Sequence, residues 1–198
     1  MRSVPRTTLT RVRLGGTAAI LAGLCYGAAG YLDRPGISGF TGALVSMLSV
    51  AIPALFLGGL LGLHTRPLLA ARTSLASGAG FVLGCFGSVL GCFGSVLGIG
   101  GALGLAPPPY WPITWWWWVP FLAGLTLMGL FSCLKGGLWL LGTVASISGA
   151  LGWVSLLTDP DFSGVLVPMR SVHVAFAAAF CLSAVVWGAV LMVTHEDR

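Results

Sequence analysis

Six long apolar stretches, joined by links too short to fold by themselves, decide what this chain can become. A helix that crosses a bilayer needs about 20 apolar residues. The chain supplies such runs at residues 14–32, 37–63, 74–106, 115–134, 137–157 and 172–194. They are continuously apolar and do not alternate, which points to helices and away from a barrel. The fold expected is therefore all-α: a polytopic transmembrane bundle of about six helices, forming a single transmembrane domain over residues 1–198. Charged residues make up only 8% of the sequence, against roughly 25% in a soluble domain. That is too little polar surface to cover a globule in water, so lipid is the expected solvent.

The links carry little. Asp33–Gly36, His64–Arg72, the proline-rich Ala106–Pro112, Lys135–Gly136 and Thr158–Ser171 are all turns or short loops. Activity is therefore expected within the membrane or at its edge. Arginine and lysine counts set an orientation. With the N-terminus in the cytoplasm, Arg2, Arg6, Arg11, Arg13, Arg66, Arg72, Lys135 and Arg198 fall inside, and only Arg34 and Arg170 fall outside. Both ends are thus expected in the cytoplasm. Asp33, Asp159 and Asp161 fall outside. The basic residues sit singly at the ends of apolar runs, not on one face, so the formal charge of +5 does not mark a nucleic-acid binder.

The first run resembles a signal peptide in its basic leader and in the small residues Ala28-Ala29-Gly30. Leu24 stands before Cys25, where a lipoprotein box needs a small residue. The run is expected to stay as a spanning helix.

The third run holds a seven-residue segment twice in succession. Gly84-Cys85-Phe86-Gly87-Ser88-Val89-Leu90 is followed by Gly91-Cys92-Phe93-Gly94-Ser95-Val96-Leu97. Seven residues are two helical turns, so one face is presented twice. Gly80, Gly84, Gly87, Gly91, Gly94, Gly98 and Gly101 recur at intervals of four and three along that face. In lipid, helices associate through close packing of small residues. The stripe is therefore expected to seat a neighbouring helix, within the chain or in a partner. The run is also over-long. Its 33 residues would extend about 50 Å as one helix, against a hydrocarbon core of about 30 Å. Tilting, projection or a break near Gly98–Gly101 would absorb the excess.

Tyr110, Trp111, Trp115, Trp116, Trp117 and Trp118 form an aromatic block at the expected outer surface. Tryptophan favours the headgroup level, so these residues read as an interface belt. A platform for an apolar or cationic ligand is the alternative.

Chemistry-bearing groups are sparse. Ionisable residues are missing from the middle of every run. His64 and Lys135 lie near the inner edge and His173 near the outer edge. Integral haem sites and membrane metalloproteases need histidines at depth or an H-E-x-x-H pair, and neither occurs. Cys25, Cys85, Cys92, Cys133 and Cys181 form no C-x-x-C pair and read as small apolar packing residues. Asp159-Pro160-Asp161 reads as a turn. Deep hydroxyls such as Ser46, Ser49, Ser88, Ser95, Thr143, Ser146 and Ser148 are expected to bond to their own or neighbouring helices. No catalytic, cofactor or metal site is expected, and no enzymatic activity.

Arg13-Leu14-Gly15-Gly16 entering the first run, and Gly58-Gly59-Leu60-Leu61-Gly62-Leu63-His64 closing the second, resemble the small multi-pass membrane proteins of high-GC bacteria. The resemblance covers most of the chain and carries no functional motif. It implies a bacterial inner-membrane location and no particular activity. Partners expected are the lipid bilayer and a homo-oligomer or another membrane protein. The functions left standing are a structural or accessory protein packing through the glycine stripe, or a small permease or channel subunit for a neutral or hydrophobic solute.

Overall fold

A computed structural model describes residues 6–32, 40–69, 75–103, 116–134, 139–159 and 170–193. Six helices run through them: α1 (Arg6–Leu32), α2 (Phe40–Leu69), α3 (Leu75–Ala102), α4 (Trp118–Leu134), α5 (Trp139–Thr158) and α6 (Arg170–Val193). There is no strand among the described residues. The all-α bundle expected from the apolar runs is the fold observed.

Each helix packs antiparallel against its neighbours in the chain, and α6 returns to pack on α1. The result is a closed ring in sequence order. Short links favour antiparallel neighbours, and an even number of helices lets the last lie antiparallel to the first. The C-termini of α1, α3 and α5 therefore share one end of the ring, and those of α2, α4 and α6 the other.

Five helices are long and apolar enough to cross a membrane. The sixth, α4, has a shorter apolar stretch over Trp118–Phe131. At 17 residues α4 is about 26 Å long, just under the hydrocarbon thickness. It is also deeply packed, with Phe121, Leu122, Leu125 and Met128 all fully buried. The long third run does not break at its glycines. Helix α3 continues without interruption to Ala102 over 28 residues.

The ring has no empty centre. Tyr26 of α1, Phe56 of α2, Trp118 and Phe121 of α4 and Phe180 of α6 form one aromatic cluster. Trp118 meets Tyr26 edge-on at 5.2 Å and Phe180 at 5.9 Å, while Phe56 lies 4.8 Å from Phe121 and 5.7 Å from Phe180. Edge-to-face arrangements of this kind add about 0.5–1.5 kcal/mol per pair beyond burial itself. Towards the other end Trp187, Leu60, Leu63, Leu191 and Val12 complete the filling.

Most deep hydroxyls bond within their own helix. Ser88 donates to the Gly84 carbonyl, Ser148 to Val144 and Thr126 to Leu122. Ser95 differs. Pro53 in α2 has no N–H to give the Ser49 carbonyl one turn earlier. Ser95 Oγ of α3 donates to that carbonyl at 2.9 Å, so the neighbouring helix completes the backbone bonding that lipid cannot. Gly91 makes this possible. A Cβ there would lie 2.8 Å from Pro53 Cβ, so only glycine lets α3 come this near. The two copies of the repeated segment thus put their serines to different uses. Ser95→Ala, which strands a backbone carbonyl, is expected to cost about 1–3 kcal/mol. Ser88→Ala removes only a bond to its own helix and is expected to cost less. Thermal unfolding of both variants in one detergent checks the difference.

Candidate functional site

The glycine stripe is turned into the ring. A Cβ at Gly80 would lie 3.0 Å from both the Gly124 carbonyl oxygen and the Met128 nitrogen of α4. One at Gly84 would meet Leu60 of α2 at 2.7 Å, and one at Gly87 would run into the backbone of Phe121. One at Gly91 would lie 2.7 Å from the Trp117 ring. Gly94 is buried and Gly98 half-buried. Gly101 belongs to the last turn of α3, and its surroundings lie outside the described side chains. Gly80 to Gly91 lie where α3 comes close to α2 and α4.

The opposite face of α3 looks outward. Val82, Phe86, Val89, Phe93 and Val96 are each more than half exposed. The seven-residue period places glycine inward and phenylalanine or valine outward in both copies.

Other seams use small residues in the same way, and the sequence reading did not single them out. Gly15 of α1 faces Gly62 of α2, where an added Cβ would come within 2.5 Å of Cα. Gly16 meets the Gly188 carbonyl of α6, and Gly129 of α4 meets Ser146 of α5. Small residues four apart, Gly58 and Gly62 or Gly15, Ala19 and Gly23, carried the signal.

The aromatic belt is divided. Trp116 is exposed, as a perimeter residue would be, but Trp117 and Trp118 are 5% and 7% exposed and belong to the core. These two are therefore not interface anchors. Consecutive residues on a helix point about 100° apart, so a run of tryptophans entering α4 must turn part of itself inward. Tyr110, Trp111 and Trp115 lie outside the described residues.

Free thiols are found at Cys25, Cys85, Cys92 and Cys181, all half-buried. Among the described residues no three His, Cys, Asp or Glu side chains cluster as metal ligands would.

One polar group does assemble, at the end of the ring where α1, α3 and α5 finish. Asp159 follows the last residue of α5 and is 6% exposed. His173 stands in the first turn of α6. Its Nδ1 lies 2.9 Å from the Ser155 carbonyl oxygen, a last-turn carbonyl of α5 that the Thr158 hydroxyl also approaches at 3.1 Å. Only a protonated Nδ1 can donate there. Nε2 then faces Asp159 Oδ2 at 3.9 Å, too far for a hydrogen bond. Ser155 Oγ is buried, with the hydroxyl of Tyr26 as its hydrogen-bonding neighbour. These residues, together with Trp118, Gly152, Leu156 and Phe180, line a small cavity of about 10 Å³, roughly room for one water-sized occupant.

The sequence reading placed His173 and Asp159 near the outer edge but did not join them, and it passed over Tyr26 and Ser155. They are separated by up to 147 positions and come from three helices, so no local motif could show them together. The turn expected at Asp159-Pro160-Asp161 contributes Asp159 to this cavity, while Pro160 and Asp161 lie outside the described residues.

Comparison with protein-family models, with curated proteins and with solved structures finds no match. What the chain itself shows is a helical membrane protein, with five helices of spanning length and composition and a sixth, shorter one packed among them.

Proposed function

We propose that this protein is a structural or accessory component of a bacterial cell membrane, acting through its outer surface as part of an assembly. The observation that carries this reading is the two-sided build of α3. Its glycine face is used up in seating α2 and α4, and its repeated phenylalanine and valine face is left on the perimeter. The stripe serves to make one close-packed unit, and assembly uses the other side. The distribution of arginine and lysine supports an orientation with both termini in the cytoplasm.

The alternative, a small permease for a neutral solute, calls for polar side chains along a continuous path. The described hydroxyls are mostly bonded to their own helices, and the aromatic cluster fills the ring where such a path would run. Only the small polar cavity speaks for a solute.

Native mass spectrometry of the protein extracted gently from its own membrane tests the proposal. A defined homo-oligomer or a constant co-purifying protein is the expected result. A monomer carrying a reproducible polar small molecule would overturn it in favour of the permease.

A further inference from the structure

We propose that the outward face of α1, at its N-terminal end, is a binding surface for an anionic phospholipid, with Arg11 and Arg13 holding the headgroup phosphate. The inference does not depend on the accessory reading and would stand if that reading failed.

Charge is the first observation. Arg11 and Arg13 are both exposed, and no carboxylate pairs with them among the described residues. Asp159, the one acidic residue described, lies at the opposite end of the ring. A guanidinium stays charged at any working pH, and its planar N–H groups match the oxygens of a phosphate. Two of them with no acid beside them favour a lipid of net negative charge over a zwitterionic one.

Depth is the second. The apolar stretch of α1 begins at Thr10, so both arginines stand within its first turn. That is the level of the headgroups, where a basic side chain meets phosphate and not hydrocarbon.

The third is their placing around the helix. Val12, between them in sequence, is fully buried, so the arginines leave α1 on either side of its inward face. Gly15, one turn on from Arg11, packs against Gly62 of α2, and Gly16, three residues on from Arg13, packs against Gly188 of α6. Each arginine therefore stands at a shoulder where α1 meets its neighbour. The outward face lies between the shoulders. At about 100° per residue, Leu14 falls about 100° on from Arg13 and about 60° short of Arg11. Leu21 and Leu24 continue down the same face, and all three leucines are exposed, Leu14 by 63%. A phosphate held between the arginines sets its acyl chains along these leucines. An acidic protein segment would answer the arginines but not the apolar stripe that runs below them at hydrocarbon depth. The combination selects a lipid.

The test uses the full chain in nanodiscs of equal parts phosphatidylcholine and phosphatidylglycerol. Native mass spectrometry after release from the disc counts which lipid the protein retains. Preferential retention of phosphatidylglycerol is expected. Arg11→Gln with Arg13→Gln is expected to weaken that preference by about tenfold or more. Lys135→Gln removes a basic residue from the link between α4 and α5, at the same end of the ring, and is expected to leave the preference unchanged. The unaltered protein carries the test if the double variant does not fold, because raised salt during equilibration should screen the preference away. The proposal is overturned if phosphatidylglycerol is not preferred, if the preference survives in the folded double variant or at high salt, or if Lys135→Gln lowers it equally. Displacement of the lipid by soluble glycerol phosphate would also overturn it, by showing a site for free phosphate in place of a seat for a lipid.

Discussion

Replacing Gly87 with leucine is expected to force α3 away from α4 and to lower the thermal stability of the ring by about 5–10 °C or more. The position leaves no cheap adjustment. A Cβ at Gly87 would run into the backbone nitrogen, Cα and Cβ of Phe121, and backbone in the middle of a packed helix cannot step aside. Overpacking of a filled interior costs about 1–3 kcal/mol, and more where backbone must move. In a chain of this size each kcal/mol is worth about 2–4 °C. The same helix supplies its own control. Gly78 is also a glycine of α3, but an added Cβ there meets nothing within 4 Å. Gly78→Ala should be neutral or should stabilise by up to about 1 kcal/mol, through the better helix propensity of alanine. Scanning calorimetry of the two variants in one detergent separates them. Equal midpoints for Gly87→Leu and the unaltered protein would show that the seam is not close-packed.

Trp118→Ala is expected to have an effect of similar or greater size, for the opposite reason. It empties space where Gly87→Leu overfills it. Trp118 stands at the centre of the aromatic cluster and touches rings from α1, α2, α4 and α6. Large aromatic-to-alanine truncations cost about 3–5 kcal/mol, the cavity left behind included. Because the rings that lose their partner sit on four helices, the variant should loosen ring closure as a whole. Trp116→Ala is the comparison. Trp116 is 60% exposed, and its loss should change stability little. A chain in which both substitutions behaved alike would place the two tryptophans in the same setting, against the burial described here.

The contrast between these neighbouring tryptophans shows where the sequence could be read and where it could not. The block was legible as aromatic and as lying at the start of a helix. Its division into a perimeter residue and two core residues was not legible, because the helix is apolar on every side. A soluble helix announces its inner face by leaving the outer one polar. Here Phe56 is fully buried and Phe86 is more than half exposed, and nothing in their chemistry distinguishes them. The glycines of α3 were the exception. Their four-and-three spacing marked one face of the helix, and Gly80, Gly84, Gly87 and Gly91 on it lie close to α2 or α4. Gly58 and Gly62 offered the same kind of signal in a shorter form.

Hydropathy and length, each summed locally along the chain, were enough to determine the medium, the helical class and the approximate limits of six helices. The sparse charges, set between the apolar runs, left no other solvent but lipid. Tertiary structure alone decided that α6 closes on α1, that α4 is drawn inward, and that Ser95 completes the backbone beside Pro53. It also decided that Tyr26, Ser155, Asp159 and His173 meet at one end of the ring. Contacts of this kind join residues far apart in the chain, and they depend on which faces turn towards each other. In a chain whose helices are apolar all round, shape complementarity between surfaces fixes those faces, and it exists only once the helices are packed.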